Sequence, residues 1–355
     1  MTRRTHLVGA WPGYSAPHAM DIAFNRLGPW LERLSDGETG LRSQWVTPMV
    51  EALRANPNVE MLNDGDYSHY EKTPKYKVRD GAAFTADSID LGLRRAFEAS
   101  YPAFKELRGR HGYDGVRFQV GCPTPVDLAL VGFGPAGFGS PDVIKAYLAA
   151  TVREINEIVA LADPEDVVFQ LETIVAIPVA ASQSGEGSHS MEDGGADPFS
   201  QVIGAMLGVV AGAPAGTHFG AHFCLGDFNH ESFTHLEDAA PIVRCANALA
   251  AGFPPDKKLD YIHVPFAAAA DPPPSDPAFY APLSGLQVPD GVRFVAGFVH
   301  ESVSEEDQKP LLEIIEGAAG REVDVAATCG LGRRPTMEEA WDAMDKSRAL
   351  LEADA

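Results

Sequence analysis

A histidine and two cysteines are the residues of this sequence best suited to chemistry. His222 and Cys224 stand on alternate residues of an apolar stretch, and Cys329 follows much later in the motif Cys-Gly-Leu. Alternate residues of an extended segment point the same way, so one strand can offer an imidazole nitrogen and a thiolate to one ion. A second cysteine from another strand end completes three zinc-type ligands and leaves a fourth position for a substrate. The alternative is that both cysteines are small buried apolar residues, as free cysteines usually are.

A ligand set with two thiolates favours a sulfur nucleophile over a hydrolytic water. A free thiol, with a pKa of about 8.5, is only slightly ionised at neutral pH, and binding to zinc releases its proton. Two cysteinate ligands nearly cancel the charge of the ion, so a third sulfur remains electron-rich. The ligand set is therefore better suited to an electron-rich sulfur nucleophile than to a zinc hydroxide for hydrolysis.

The elements that must position these residues are strands and helices in alternation. Apolar segments rich in β-branched residues predict strands at 6–8, 115–120, 167–171, 216–223, 261–264, 293–298 and 323–327, and an eighth strand is expected within 33–40. Helices are predicted over 45–56, 85–107, 141–161, 198–211, 235–250, 308–319 and 336–353. This alternation is typical of parallel βαβ units, and eight strands predict a single (β/α)8 TIM barrel over residues 1–355. A doubly wound nucleotide-binding sheet is disfavoured, because no strand precedes a glycine-rich dinucleotide motif or a Walker loop.

Reactive side chains recur where predicted strands end, which is where barrel enzymes place their active groups. They are His222, Cys224, His263, His300 and Cys329. Two stretches predict long loops: residues 182–198, rich in Gly, Ser and acidic residues and a candidate lid, and residues 267–291, too rich in proline for a continuous helix.

The bulk composition excludes several classes of function. The formal net charge is −22, and a surface that acidic repels phosphate backbones and anionic lipids. No apolar run approaches the roughly 18 residues that span a bilayer, and no signal peptide is evident, so we expect a cytoplasmic protein without nucleic-acid or membrane partners. The four scattered cysteines are expected to be thiols or ligands rather than disulfides.

Several motifs, in order along the chain, resemble those of the zinc-dependent thiol alkyltransferases. His222-Phe-Cys224 is similar to the strand that supplies zinc ligands in cobalamin-independent methionine synthase. Cys329-Gly-Leu, which precedes the last predicted helix, is similar to the segment that supplies its last zinc ligand. Weaker similarities are Val8-Gly-Ala-Trp-Pro, Asp36-Gly-Glu38, Gly121-Cys-Pro-Thr124, Gln170-Leu-Glu172 and Val299-His300. The family also includes methylcobalamin:coenzyme M methyltransferases and the epoxyalkane:coenzyme M transferase, within a wider group of uroporphyrinogen decarboxylase-like barrels.

The resemblance implies a zinc ion held by His222, Cys224 and Cys329. The family usually adds a glutamate from the intervening strand, but Pro265 stands at that position here. His263, two residues earlier on the same strand face, is an alternative ligand. The other interpretation is that His263 donates a hydrogen bond to a barrel carbonyl.

The resemblance also implies a substrate pocket. Glu38 is similar to the glutamate that holds the amino group of homocysteine, whereas Ala10 replaces the family's serine and Glu172 stands where the family has an Asp-Glu pair. These two changes affect the amino-acid pocket, so homocysteine as the thiol is in doubt. Arg42 and Arg334 are the expected partners of a sulfonate if the substrate carries one.

The implied reaction is alkyl, most simply methyl, transfer to a small-molecule thiol from a folate, corrinoid or epoxide donor. His300 falls where the family has its catalytic histidine, which implies a general acid for the leaving atom; the alternative is a surface histidine beside Glu301. Three other functions remain open: a lyase that decarboxylates or cleaves a carbon–sulfur bond, an epoxide:thiol transferase, and a zinc- or thiol-binding protein without catalysis.

Overall fold

A ring of parallel strands forms the centre of the computed structural model, which describes residues 2–183 and 197–353. The strands of this described part are, in chain order, β1 (Thr5–His6), β2 (Arg33–Leu34), β3 (Val59–Asn63), β4 (Lys75–Val78), β5 (Arg117–Pro123), β6 (Val167–Thr173), β7 (His218–Phe223), β8 (Lys258–Pro265), β9 (Arg293–Val299) and β10 (Asp324–Ala327). Eight of them pair in parallel in the order β1-β10-β9-β8-β7-β6-β5-β2. A parallel bridge between Thr5 and Leu31 brings the two ends of this sheet together. The predicted eight-stranded TIM barrel is therefore confirmed.

Helices follow the strands and cover the outside of the ring. They are α1 (Ala16–Leu27), α2 (Thr47–Ala52), α3 (Leu93–His111), α4 (Pro125–Phe138), α5 (Pro141–Val159), α6 (Ala176–Ser182), α7 (Pro198–Gly212), α8 (Ala240–Gly252), α9 (Pro277–Tyr280), α10 (Glu305–Ala319) and α11 (Met337–Glu352). Many begin with a polar cap followed by proline; at α5, for example, the Ser140 side chain accepts from the amide of Val143. Proline at the first helical position costs no hydrogen bond, because that amide has no partner within the helix.

The predicted strands all occur, and the eighth lies at Arg33–Leu34, within residues 33–40. Helix starts were less accurate than strands. The helix predicted from residue 85 begins only at Leu93, because Gly92 adopts a left-handed conformation with φ 74° that ends the preceding turn. The helix predicted from residue 235 likewise begins at Ala240.

Helices α1 and α6 were not predicted, and neither were a hairpin and a helix near the barrel mouth. β3 and β4 form an antiparallel hairpin in the connection between β2 and β5. Helix α4 follows β5 and is interrupted at Gly134, whose φ of 66° and ψ of −159° are not helical. In ring order this hairpin and helix adjoin β2 and β5, whereas β7 to β10 form the other side of the barrel.

The barrel interior below the mouth is filled by polar as well as apolar side chains. His6 Nε2 lies 2.8 Å from Gln170 Oε1, which also accepts from the hydroxyl of Tyr261 at 2.9 Å. The guanidinium of Arg33 stacks on the Tyr261 ring at 3.9 Å from its centre. The interior is therefore a packed core rather than a channel.

The two predicted loops differ in outcome. Residues 184–196 of the candidate lid lie outside the described residues. Within residues 267–291 the chain forms only the short helix α9 and a 3-10 turn at Ala281–Gly285, which agrees with the prediction. Among the described residues, no helix combines the length and apolarity needed to cross a bilayer.

Candidate metal centre and cavity

The three predicted ligands come from two strand ends at the carboxyl side of the barrel. His222 lies in β7 beside Glu172 of β6 and His263 of β8. Cys224 continues the ladder beyond β7, since its amide donates to the carbonyl of Thr173 at 2.8 Å. This extended backbone keeps His222 and Cys224 on one side of the strand. Cys329 follows β10 by two residues.

The ligand atoms of His222, Cys224 and Cys329 all lie within 4.8 Å of one another. The two sulfurs are 3.5 Å apart, and Sγ of Cys329 is 3.8 Å from Nε2 of His222. Two sulfurs bound to one zinc at about 2.3 Å in tetrahedral geometry lie about 3.8 Å apart, whereas a disulfide needs about 2.0 Å. The spacing therefore fits a shared metal ion and not a disulfide. All three residues are buried.

The surroundings favour negative charge on one of the two sulfurs, that of Cys329. The pKa of Cys329 is held well below its ordinary value, because the Cys224 thiol donates a hydrogen bond to its sulfur, and the pKa of Cys224 is raised correspondingly. The amide of Gly226 donates to Sγ of Cys224 at 3.3 Å, and a guanidinium nitrogen of Arg333 lies 3.9 Å from Sγ of Cys329. An amide and a nearby cation are the partners that a cysteinate ligand requires.

His263 orients His222 from behind. Nε2 of His263 lies 3.0 Å from the carbonyl oxygen of Ala327, and its Nδ1 lies 2.8 Å from Nδ1 of His222. Burial holds the pKa of His263 well below its ordinary value, so the ring is neutral. A carbonyl only accepts, so the proton of His263 is on Nε2, and Nδ1 accepts from His222. This leaves the lone pair of His222 on Nε2, the atom that faces Cys329.

This arrangement favours one of the two roles predicted for His263. Both of its ring nitrogens are engaged, and it is not part of the three-residue cluster. The interpretation as a histidine donating to a barrel carbonyl is the one that matches the geometry. Its position is that of the hydrogen-bonding partners that commonly fix the tautomer of a metal-binding histidine.

A cavity of about 310 Å³ adjoins the cluster. Its lining includes His222, Cys224 and Cys329, and the predicted pocket residues Glu38 and Glu172. The rest is mainly apolar and includes Ala10, Trp45, Val46, Leu130, Ile174 and Phe228. Its size is at the lower end of the range for small-molecule sites. The cavity reaches from the cluster across the mouth to β4 and α4, since residues of both elements line it.

Two carboxyl groups converge in the wall of this cavity. The Oε1 atoms of Glu38 and Glu172 both lie within 2.8 Å of the point where a side chain on Gly121 would begin. Burial, reinforced by the neighbouring carboxylate, raises the pKa of Glu38 to about 8, and burial raises that of Glu172 to about 7. Trp45 and Gln170 donate hydrogen bonds to Glu172, each at 2.8 Å. Burial and the nearby second carboxyl group therefore favour a protonated carboxyl in this pair at neutral pH.

Glu38 is held in place by a strained turn. It has a φ of 45°, and Gly37 before it has a φ of 78°. Left-handed backbone at a residue other than glycine persists only where the surroundings enforce it. Here Asp36 accepts from the amide of Glu38 at 3.0 Å and forms two hydrogen bonds with Arg42, at 2.6 and 2.7 Å. Arg42, predicted to bind a substrate sulfonate, therefore has its ionic partner within the turn.

A second cavity of about 80 Å³ lies on the far side of this pair. Both cavities share Glu38, Trp45 and Glu172 in their lining, and Arg42 lines the smaller one. The carboxyl pair therefore forms part of the wall between two spaces.

Arg334 lies in a buried ion network instead of facing the cavity. Its side chain has no exposed surface and pairs with Asp227 and Glu301, each at 3.0 Å. His230 bridges the same two acids at 3.3 and 2.9 Å, and these hydrogen bonds raise its pKa to about 9. The charge of Arg334 is thus balanced within the protein, and Arg334 is not among the described residues that line the larger cavity, although its Nη2 has no hydrogen-bond partner there.

His300 is enclosed as well. Its Nε2 donates to the carbonyl of Ala269 at 2.9 Å, and its Nδ1 lies 2.8 Å from the hydroxyl of Ser302. The residue has no exposed surface, and burial lowers its pKa. Among the described residues that line the larger cavity, His300 is absent. The structure therefore does not bring this predicted acid to the cluster.

Two residues that line the cavity, Arg333 and Trp45, were not predicted as site residues from the sequence. Arg333, and not Arg334, lines the cavity, because the 3-10 turn Leu331–Arg333 directs consecutive arginines to different sides. Two adjacent arginines after Cys329 were the available signal, but which one faces inward depends on that turn. In the sequence Trp45 looks like any other packed aromatic residue. Only the hydrogen bond that it donates to Glu172, seen in the structure, distinguishes it.

Two solved structures resemble the whole barrel. One, from Listeria monocytogenes, is described as a candidate vitamin-B12-independent methionine synthase; it is 14% identical with a TM-score of 0.56, over 99% of this chain and 96% of that one. The other, a B12-independent methionine synthase from a Shewanella species in complex with selenomethionine, is 11% identical with a TM-score of 0.58, over 100% of this chain and 98% of that one. No family model and no curated protein matches the chain. The chain shares the fold of these synthase-like barrels.

Proposed function

We propose that this protein is a zinc-dependent alkyltransferase that acts on a small-molecule thiol. The observation that carries the proposal is the set of three buried ligand atoms within 4.8 Å of one another in the wall of a ligand-sized cavity. Two solved barrels of the same fold, described as methionine synthase or as a candidate for that activity, support a transferase that moves a methyl or related group.

His222, Cys224 and Cys329 would hold the ion, and their chemistry fits zinc: one imidazole and two sulfurs, with the tautomer of His222 already set by His263. A bound zinc ion would lower the pKa of a substrate thiol and keep its sulfur ionised for attack on the alkyl donor. Pro265 stands where the resembling family has its glutamate ligand, and the cluster formed by the described residues contains no other glutamate in that role. Three protein ligands leave a position for the substrate.

The carboxyl pair supplies both a proton and a binding point. With one proton between them, Glu38 and Glu172 accept a hydrogen bond from a donor group on the substrate and keep a hydrogen to donate. Since His300 is enclosed, we assign proton delivery to the leaving atom to this pair rather than to His300. The mainly apolar walls exclude water and so protect the donor from hydrolysis.

Metal content tests the proposal directly. The protein purified from cells grown with zinc is expected to contain about one zinc per chain, and Cys224→Ser to lose nearly all of it. Cys245→Ser is the matched control, because Cys245 is equally buried but lies in α8, away from the cluster. Zinc bound equally by both variants would contradict the site.

X-ray absorption then tests the thiol. Addition of the acceptor thiol is expected to add one sulfur to the zinc shell, and product analysis with and without that thiol separates alkyl transfer from a lyase reaction. An unchanged metal shell with every thiol of a broad panel would overturn the assignment as a thiol transferase.

A further inference from the structure

The cavity wall contains, besides the metal cluster, a lysine with few partners in the protein. Lys75 lies in β4 of the unpredicted hairpin and lines the larger cavity. Its ammonium donates to the carbonyl of Val131 at 2.9 Å and to the hydroxyl of Thr73. No carboxylate among the described residues forms an ion pair with it, although the chain carries an excess of acidic residues.

The interruption of α4 explains why this carbonyl is available. In a regular helix the carbonyl of Val131 would accept from the amide of residue 135, but residue 135 is proline and has no amide hydrogen. Gly134, just before it, leaves the helical conformation and also lines the cavity. The carbonyl of Val131 is thus free to fix Lys75 in the cavity wall.

The fixed ammonium has binding capacity left for a ligand. An ammonium carries three hydrogens, and the two protein partners account for two of them. Partial burial of the Lys75 ammonium lowers its pKa, and an anion beside it would offset the hydration that burial removes. Much of the remaining cavity wall is apolar, for example Val46, Leu130 and Ile174.

We propose that Lys75 binds the anionic end of the ligand, so that the cavity selects an organic anion with an apolar body: a carboxylate, sulfonate or phosphate at one end and the reacting atom at the other. The proposal rests on the proposed function only in taking this cavity as the ligand site. The anionic group belongs either to the thiol or to the alkyl donor, and Lys75 recognises the same chemistry in both.

Calorimetric binding of matched probes to the full chain tests this inference. We would compare 6-mercaptohexanoate, 6-mercaptohexanol and hexanoate. The wild-type protein is expected to bind the mercapto acid about tenfold more tightly than the mercapto alcohol, the usual size of one charge-assisted hydrogen bond. Hexanoate, which lacks the sulfur, separates the Lys75 contribution from that of the metal.

Variants of Lys75 decide the outcome. Lys75→Gln keeps hydrogen-bond donors for Val131 and Thr73 but loses the charge, so it is expected to lose the preference for the acid, and Lys75→Arg to retain most of it. Lys105→Gln on α3 is the control, because Lys105 is exposed and remote from the cavity.

The failure of this inference differs from the failure of the proposed function. An acid preference that persists in Lys75→Gln, or that is absent in the wild type, would overturn the role of Lys75. Hexanoate binding that is weakened in Lys75→Gln, in a protein that contains no zinc, would support the anion site and contradict the thiol chemistry. Thermal unfolding of each variant verifies that the hairpin is still folded.

Discussion

At the scale of single residues, the sequence predicted the cluster because the chemistry of its members is local. His222 and Cys224 share a strand face by simple alternation, and Cys329 had only to end another strand of the same ring. The partners of these residues depend on rotamers and turns that a sequence does not contain. For this reason the sequence did not indicate that Ala269 and Ser302 enclose His300. It also did not indicate that Arg333, and not Arg334, faces the cavity.

His263 should govern metal affinity without binding the metal. Replacement by Phe removes the acceptor for Nδ1 of His222, so we expect zinc affinity to fall about 10- to 100-fold, as for other partners of metal-binding histidines. Asn offers an acceptor near the former Nδ1 and should restore part of the affinity. Competition with a chromogenic chelator measures both.

The exposed His235 provides the control for this experiment, since it pairs with Asp271 outside the cavity. His235→Phe is expected to bind zinc as the wild type does. Equal zinc affinity in His263→Phe and the wild type would show that the hydrogen bond between the two rings has no such role.

Glu38 should make stability depend on pH. Its pKa in the folded protein is raised to about 8 from 4.5, so folding favours the protonated form. Its contribution to stability is complete below about pH 4.5 and is lost as the pH rises towards 8. Glu38→Gln, which is always neutral, should therefore gain about 3 kcal/mol relative to the wild type between pH 5 and pH 8.

Denaturant titration at the two pH values measures this difference. Glu98→Gln serves as the control because Glu98 lies exposed on α3, and it should show no such gain. A pH-independent difference between Glu38→Gln and the wild type would mean that Glu38 is ionised in the folded protein.

At the scale of elements, the barrel strands were predictable and the mouth was not. Parallel strands are buried on both faces, so their apolar runs mark them clearly, as in β6 with all seven residues buried. The hairpin β3–β4 has strands of only five and four residues, partly exposed and mixed in polarity, so its sequence carries only a weak strand pattern. Helix α4 is nearly uniformly apolar and contains Gly134 and Pro135, so its sequence indicated a break rather than a helix.

The break in α4 should depend on glycine. The φ and ψ of Gly134 belong to a region that is almost exclusive to glycine. Gly134→Ala is expected to destabilise the protein by about 2 kcal/mol and to weaken ligand binding, because Gly134 lines the cavity. Equilibrium unfolding and the hexanoate titration measure the two effects.

A second glycine gives the opposite expectation. Gly317 lies within α10, and a side chain built there meets open space. Gly317→Ala should therefore stabilise the protein by up to about 1 kcal/mol. The same change in stability at both positions would contradict the assigned role of the Gly134 backbone.

At the scale of the whole molecule, one extended cluster of buried side chains includes residues from nearly every strand and helix. The three ligands connect β7 with the end of β10, which are separated in the ring by β8 and β9. We therefore expect a single thermal transition that moves upward as a unit when zinc is added. Free zinc at 100 times its dissociation constant should add about 2.7 kcal/mol.

Scanning calorimetry with and without a chelator measures the shift. The unfolding temperature of Cys224→Ser should be the same with and without the chelator. That of Cys245→Ser should still rise when zinc is present. Two separate transitions would contradict the single domain. A zinc effect that persists in Cys224→Ser would contradict the metal centre.

The turn at Glu38 has a consequence for engineering. A left-handed backbone and a buried acid both cost free energy, and glycine or a neutral residue would relieve them. Directed evolution that rewards only heat tolerance would accordingly discard this carboxyl group and yield a more stable barrel that lacks the proposed proton donor. Libraries built on this scaffold need a screen for turnover at the same time, with position 38 kept constant.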